Sequence, residues 1–478
     1  MPRTKIVCTI GPASSSPEVM RDLIRAGMNV ARINFSHGDH LAHTRSIATV
    51  REVARNEGRL VGVMADLQGP KLRVGEIEGG AVELHEGDVV TLTQHPQPVA
   101  ADEIPVPHPE LLRELASGQT VLLDDGQLEL VVLRAGGDGV SGRVVVGGWL
   151  RSRKGINVPG AALRFSTLTA KDREDALFAV EQGVDFLALS FVRGAADVRE
   201  LRQFLRSRGT DIPIIAKIEK PEALAVFGAI LAEADGIMVA RGDLGVETPA
   251  EEVPFHQKRI IRECNQAGKP VITATQMLQT MIENPRPTRA EASDIVNAIL
   301  DGTDAVMLSG ETAVGEYPVD ATETMARICA NAEAHLPQLV ARDHFSPGDS
   351  PGREAVTPAI SYAAVDIARE VGAKVIVTAT MSGTTARMVA RHRPSVPVIA
   401  VTPNEATLSR LMLVWGVVPL QVDEFSTTDD MVKVMVQAAC NAGMVAWDDP
   451  VVLTAGIPFG VGRKTNMLKV HVVGEEDA

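Results

Sequence analysis

Aromatic residues are scarce, 3% of 478 positions, so any core must rest on Val, Ile, Leu, Ala and Met. Cysteine is scarcer still. Cys8, Cys264, Cys329 and Cys440 form no C-x-x-C pair and show no metal-ligand spacing, so they read as reduced thiols of a cytoplasmic protein. A surplus of positive charge is also missing: Lys plus Arg number 47 against 61 Asp plus Glu, a formal charge of −14. That balance argues against broad contact with nucleic acid or an anionic membrane, yet leaves room for a local basic pocket that takes a phosphorylated metabolite. No run approaches the ~20 apolar residues of a membrane span. The chain enters a strand-like stretch at residue 5 without a signal-peptide core. Fibrous, membrane, secreted and disordered classes are thereby excluded. Nor does a G-x-G-x-x-G follow any strand-like run, which removes the support for an open doubly wound dinucleotide sheet.

What is present is alternation. Val- and Ile-rich runs recur at 6–10, 30–34, 61–66, 185–190, 213–218, 236–240, 270–274 and 304–308, with helical patterns such as 196–206, 253–266 and 289–300 between most of them. Ser16, Pro17 and Glu18 supply an N-cap, a first-turn proline and a first-turn acid, and Gly27 supplies a stop. Strand–helix units in this number predict an α/β protein built on a closed (β/α)8 TIM barrel, spanning 1–69 and 166–340. Residues 70–165 break the rhythm. They are rich in Gly and Val, with turn signals at Gly79-Gly80, Asp124-Asp125-Gly126, 136–139 and Gly147-Gly148. This predicts a small antiparallel β-barrel domain inserted in a barrel loop as a lid. A linker reading at 342–352 leads into 341–478, where α/β alternation resumes. Helices are expected at 358–370, 384–391, 405–414 and 428–441, and strands at 374–378, 396–401, 450–453 and 467–473.

Catalysis in such a barrel sits on loops after the C-terminal ends of the strands. Those ends carry Arg32 and Asn34, Asp66, Ser190, Lys217 and Glu219, Arg241 and Asp243, Thr275, then Ser309 and Glu311. Lys217 and Glu219, two apart on one strand, share a face. With Asp243 on the next strand, two carboxylates suit Mg2+, which keeps its other positions for water and substrate oxygens; a plain Lys217–Glu219 ion pair is the alternative. Gly242, lacking a side chain, lets backbone N–H groups approach an anion. The guanidinium of Arg32 suits a phosphate. No activated nucleophile is evident, so the set favours electrostatic catalysis on a phosphorylated or carboxylate substrate.

The motifs Ile10-Gly-Pro-Ala-Ser14, Arg32-Ile-Asn-Phe-Ser-His-Gly38, Asp66-Leu-Gln-Gly-Pro70, Lys154-Gly-Ile-Asn-Val-Pro-Gly160, Ala216-Lys-Ile-Glu-Lys220, Ala240-Arg-Gly-Asp-Leu-Gly245, Ala274-Thr-Gln-Met-Leu278, Pro287-Thr-Arg-Ala-Glu291 and Met307-Leu-Ser-Gly-Glu-Thr312 occur in this order. Together they resemble the pyruvate kinase family over the whole chain. The resemblance implies phosphoryl transfer from phosphoenolpyruvate to ADP in glycolysis. Glu219 and Asp243 match the family's Mg2+ ligands, Lys217 the lysine facing the transferring phosphoryl, and Arg32 the arginine gripping it. Backbone N–H groups at Gly242 and Asp243 would hold the substrate carboxylate. Thr275 matches a threonine associated with enolate protonation. Asn34, His37, Arg73 and Lys154 match nucleotide-contacting positions, and a second Mg2+ would travel with ADP. A metal-dependent aldolase or lyase would not need the insert or the Lys154 segment. A catalytically dead paralogue would be expected to have lost Lys217, Glu219 or Asp243.

Asn34, Ser36, Asp66 and the backbone carbonyl of Leu67 match the family's K+ site. Lys71, however, stands where potassium-requiring relatives carry glutamate, and Leu67, Gln68 and Val74 also depart from their pattern. Five residues from Asp66, the Lys71 ammonium is expected at the same rim as a tethered replacement for the ion, so K+ is expected to be dispensable. Finally, the Ser/Thr/Gly-rich turn 378–386 opens a helix and makes a phosphate nest. The resemblance implies that Thr380, Ser382, Gly383, Thr384 and Thr385 hold an allosteric phosphometabolite, with Met381 where some relatives carry lysine. It further implies a homotetramer.

Overall fold

Eight parallel strands close on themselves: β1 (Lys5–Ile10), β2 (Met28–Asn34), β3 (Gly62–Asp66), β4 (Phe186–Leu189), β5 (Ile214–Ile218), β6 (Gly236–Ala240), β7 (Val271–Ala274) and β8 (Ala305–Leu308). The computed structural model describes residues 2–95, 102–136, 139–160, 166–339, 354–458 and 464–475. The linker expected at 342–352 and the centre of the turn at 136–139 lie outside the described residues.

Nearly every residue of these strands is buried, as parallel strands covered on both faces require. Val7, Val30, Met64, Phe186, Ile215, Met238, Ile272 and Met307 fill the barrel interior. The alternate residues pack outward on the helices, as Ile6, Ala31, Val63, Leu187, Ile214 and Ile237 do. The first helix, Pro17–Ala26, begins where expected: the Ser16 side chain accepts the Val19 N–H, and Gly27 at φ 125° ends it.

The insert differs in three ways from the small antiparallel barrel that the sequence suggests. Its strands form a six-stranded sheet and a separate two-stranded ribbon, around one core that includes Leu92, Ile104, Val121, Leu130 and Leu150. The division falls at Gly147, where a Cβ would stand 2.4 Å from the Leu84 carbonyl oxygen. The chain there passes close to another backbone and leaves one sheet for the other. One strand pair is parallel, Thr91–Thr93 with Glu103–Pro105. A short helix, Pro109–Glu114, starts on its proline.

The C-terminal segment forms a five-stranded sheet in the order Val417–Gln421, Val398–Thr402, Val375–Ala379, Pro450–Ala455, Met467–Val472, parallel except for the last pair. The helix expected over 405–414 shortens to Glu405–Arg410 and a 3-10 turn, Leu411–Leu413. The strand Val417–Gln421 contains Pro419, which a sheet edge tolerates because no outer partner needs its N–H.

This segment closes the barrel's lower end. Met412 and Leu413 belong to the interior cluster, each buried side chain contributing about 1.5–3 kcal/mol. Around them the Lys5 ammonium donates to the Val417 carbonyl at 2.8 Å, and Asp304 accepts from Arg393 at 2.9 Å and from the Trp415 N–H at 3.2 Å. Among the described residues no helix is long and apolar enough to cross a membrane.

Candidate active site

The opposite end of the barrel gathers charge. Lys217, on β5, is buried with its ammonium 2.9 Å from Glu219 Oε1, 3.2 Å from Asp66 Oδ1 and 2.8 Å from Ser190 Oγ. Asp66 Oδ2 accepts from Arg32 Nε at 2.6 Å, and Arg32 Nη1 donates to Thr9 Oγ1 at 2.9 Å. Arg32, Asp66, Lys217 and Glu219 thus alternate in sign across β2, β3 and β5. Burial works against the charge on Lys217, but Asp66 and Glu219 outweigh it and hold its pKa above the ordinary lysine value. Burial likewise opposes ionisation of Asp66, and Arg32 and Lys217 overcome it, keeping this carboxyl below its usual range. For Glu219 burial wins: its pKa is raised, Lys217 opposing the shift and Asp243 adding to it.

Ser190 and Phe191 complete this cluster. Ser190 Oγ receives the Lys217 bond and donates to the Leu67 carbonyl at 2.7 Å; the Phe191 N–H donates to Glu219 Oε2 at 2.6 Å. Phe191 holds φ 55°, and Gly69 lies so close that a Cβ there would stand 2.8 Å from Phe191 Cδ2. The sequence marks Ser190 only as a polar strand end, and a backbone N–H carries no sequence signature at all.

Asp243 is carried by the helix Arg241–Glu247 at the top of β6. Among the described residues no group of three or more His, Cys, Asp and Glu side chains is arranged to hold a metal. Two carboxylates are nevertheless what Mg2+ asks of a protein. The Asp243 charge is near enough to add to the upward shift that burial gives Glu219, so two carboxylates adjoin at this rim, the donor type that Mg2+ takes, and the residues present fit it. The Gly242 N–H, expected to face a substrate carboxylate, donates here to Thr275 Oγ1 at 2.7 Å. Glu311 is at this rim but closed off from its mouth: it is fully buried and accepts from the Leu278 and Ser309 N–H groups of the loops after β7 and β8.

Comparison with known proteins fits this geometry. Residues 1–322 match the pyruvate kinase barrel domain, and residues 358–471 match the pyruvate kinase alpha/beta domain. The chain belongs to the pyruvate kinase family. Pyruvate kinase of Geobacillus stearothermophilus is 49% identical over 478 residues, covering 99% of this chain and 81% of that relative. Pyruvate kinase 2 of Synechocystis is 46% identical over 478 residues, covering 98% and 79%. A crystal structure of a pyruvate kinase from Cryptosporidium parvum superposes with a TM-score of 0.90 at 38% identity, covering 98% of this chain and 96% of that one. The chain is accordingly a phosphotransferase, of a family that generally uses Mg2+ and K+.

The remaining positions suggested by likeness to pyruvate kinases fall into four places. Arg73 and Lys154 lie on two facing segments of the insert: Arg73 bridges Gly155, the Val74 N–H donates to Lys154 O at 2.9 Å, and the Ile156 N–H to Leu72 O at 3.0 Å. The Lys154 ammonium pairs with Asp124 at 2.7 Å, and Arg73 Nη1 donates to Arg153 O at 2.9 Å. His37 is exposed on the loop after β2, while Asn34 Oδ1 accepts the Ser36 N–H at 3.1 Å. Lys71 departs from expectation. Its ammonium lies 4.0 Å from Asp243 Oδ1, whereas Asp66 is already held by Arg32 and Lys217. The cause is the turn after Gly69 (φ 68°), closed by Lys71 N–H to Gly69 O at 2.9 Å, which sends the chain across toward β6. Thr380 to Thr385 lie in the C-terminal sheet unit. There the Gly383 N–H donates to Thr380 Oγ1 at 2.9 Å, the Ser382 and Thr384 hydroxyls are 3.0 Å apart, and Thr385 meets Thr465 at 2.9 Å. Met381 is part-exposed at the loop's surface.

Proposed function

We propose that this chain is a Mg2+-dependent pyruvate kinase of the cytoplasm, converting phosphoenolpyruvate and ADP to pyruvate and ATP. The observation that carries this reading is the alternating array Arg32–Asp66–Lys217–Glu219 with Asp243 beside it. In the transfer, the bond between enol oxygen and phosphorus breaks and one from ADP to phosphorus forms, with charge spread over the equatorial oxygens. Lys217 and Arg32, fixed by buried carboxylates, supply positive charge that needs no reorganisation as that charge develops. Glu219 and Asp243 would hold Mg2+, which when bound neutralises substrate oxygens. The enolate left behind takes a proton at carbon, a step with which we associate Thr275. Asn34, His37, Arg73 and Lys154 contact the nucleotide, so residues 70–165 act as a lid over a catalytic unit of 1–69 and 166–340.

Residues 341–478 act as a regulatory unit in a homotetramer, with Thr380, Ser382, Gly383, Thr384 and Thr385 taking a phosphorylated effector. K+ is dispensable. In support, the oxygens that would hold it have protein donors: Asn34 from Ser36, Asp66 from Arg32 and Lys217, Leu67 O from Ser190. Lys71 adds its cation beside Asp243 rather than beside Asp66. The deciding experiment is a coupled assay for pyruvate from phosphoenolpyruvate and ADP. Pyruvate should form with Mg2+ and stop on chelation; no pyruvate with Mg2+ present overturns the reading.

A further inference from the structure

Arg241 stands at a strand end among rim residues, yet none of the roles above uses it. Its side chain is about nine-tenths buried and points away from the Lys217 array, into the turn after β7. There Nη2 donates to Thr275 O at 2.8 Å and Nε to Ala274 O at 3.3 Å, and Nη2 lies 3.2 Å from Met277 Sδ. The other edge of the guanidinium is fixed by Asp294, at 2.7 Å from Nη1, and by Gln257 Oε1 at 3.3 Å.

The turn so gripped is an unfavourable one. Thr275 and Gln276 hold φ 68° and 56°, a region that L residues other than glycine enter rarely and β-branched ones hardly at all. Such conformations persist only where surroundings impose them. The result is a fixed place for one hydroxyl: Thr275 Oγ1 accepts the Gly242 N–H at 2.7 Å and donates to Ala274 O at 2.6 Å. Arg241 and Gly242 are adjacent, so one dipeptide holds the turn from two sides, by side chain on its carbonyls and by backbone on its hydroxyl.

We propose that Arg241 is a positioning residue that holds the Thr275–Gln276 turn so that the Thr275 side chain keeps one fixed place beside the substrate during enolate protonation. This rests on the pyruvate kinase reading above. A lysine keeps the charge but not the planar fork that spans two carbonyls and a carboxylate. Misplacing one group by about 1 Å costs up to about 100-fold.

The test is a double-mutant cycle on the full chain. Exchange of pyruvate methyl protons with deuterated solvent, in the presence of Mg2+ and ATP, reads the proton step; steady-state pyruvate formation reads the whole reaction. Arg241→Lys should slow exchange about tenfold with the KM for phosphoenolpyruvate within twofold, and should slow it no further in a Thr275→Val background. The same fold loss in both backgrounds, or no loss, overturns the proposal. Should Arg241→Lys fail to fold, Asp294→Asn, which frees the guanidinium's outer edge, enters the same cycle with an expected loss of about threefold. A crystal structure of the variant gives an independent readout: the Gly242 N–H to Thr275 Oγ1 separation should exceed about 3.5 Å, and an unchanged turn counts against Arg241. A wild-type chain that makes no pyruvate condemns the functional reading instead, and the turn's geometry still judges Arg241.

Discussion

Among the described residues Lys217 is the one ammonium that Asp66 and Glu219 both face, so its removal strips charge from the site and strands two buried carboxylates. Lys217→Met should reduce pyruvate formation by at least about 100-fold and lower stability by about 3–5 kcal/mol, the usual result of breaking a buried ion pair, while the chain still folds. Assay together with urea unfolding checks both, and wild-type turnover would remove Lys217 from its role. For Lys71, full activity is expected in sodium or tetramethylammonium salts, with a potassium requirement introduced by Lys71→Glu. A wild-type rate rising more than tenfold on adding K+ at constant ionic strength would count against it. The charged site residues were legible in the sequence because strand ends of a (β/α)8 barrel converge and their side-chain chemistry is distinctive. The contact of Lys71 was not legible. Counting residues from Asp66 put it at the right rim, but a two-residue turn at Gly69 and Pro70 decides which carboxylate it meets.

At the scale of elements, the loop after β3 and the loop after β4 fit each other so closely that only a glycine serves at position 69. Gly69→Ala meets both a φ of 68° and a contact of 2.8 Å with Phe191. It should cost about 1–3 kcal/mol and lower turnover, because Ser190 and Phe191 are what hold Lys217 and Glu219. Unchanged stability with unchanged turnover would show that the two loops can part without cost. The barrel strands announce themselves as short, nearly unbroken apolar runs. Val417–Gln421 does not, since Pro419 argues against a strand until its edge position is known. Pro109–Glu114 is too short to show a helical period. The Phe191 N–H is invisible for a deeper reason: main-chain donors are the same in every sequence.

At the scale of the molecule, the junction beneath the barrel holds a buried cation. Burial lowers the Lys5 pKa from 10.5 to about 8, against the pull of Glu333 and Asp304. Between those two values the unfolded chain keeps a proton that the folded chain has shed, so stability rises with pH across that window; below about 8 both states are protonated and the cost of the buried charge is felt in full. The gain from pH 8 to 10.5 should reach about 3 kcal/mol at most and be absent in Lys5→Met; equal pH slopes of the urea midpoint in the two proteins would rule it out. The same junction separates the 380–385 loop from the catalytic mouth by the height of the barrel. Phosphoenolpyruvate saturation curves should nonetheless shift with some member of a panel of phosphometabolites, and curves unmoved by sugar phosphates and AMP would speak against regulation there. The pairing of Arg73 with Gly155 has a mechanical corollary. That strip is not free of the insert: the Asp124 N–H donates to Gly155 O at 3.0 Å, Ile156–Asn157 pairs with Leu122–Leu123 of the six-stranded sheet, and Leu72, Val74 and Ile156 belong to the insert's core. Arg73 and Lys154 are therefore bolted to the insert's frame, and any displacement of that frame would carry both side chains with it as one piece.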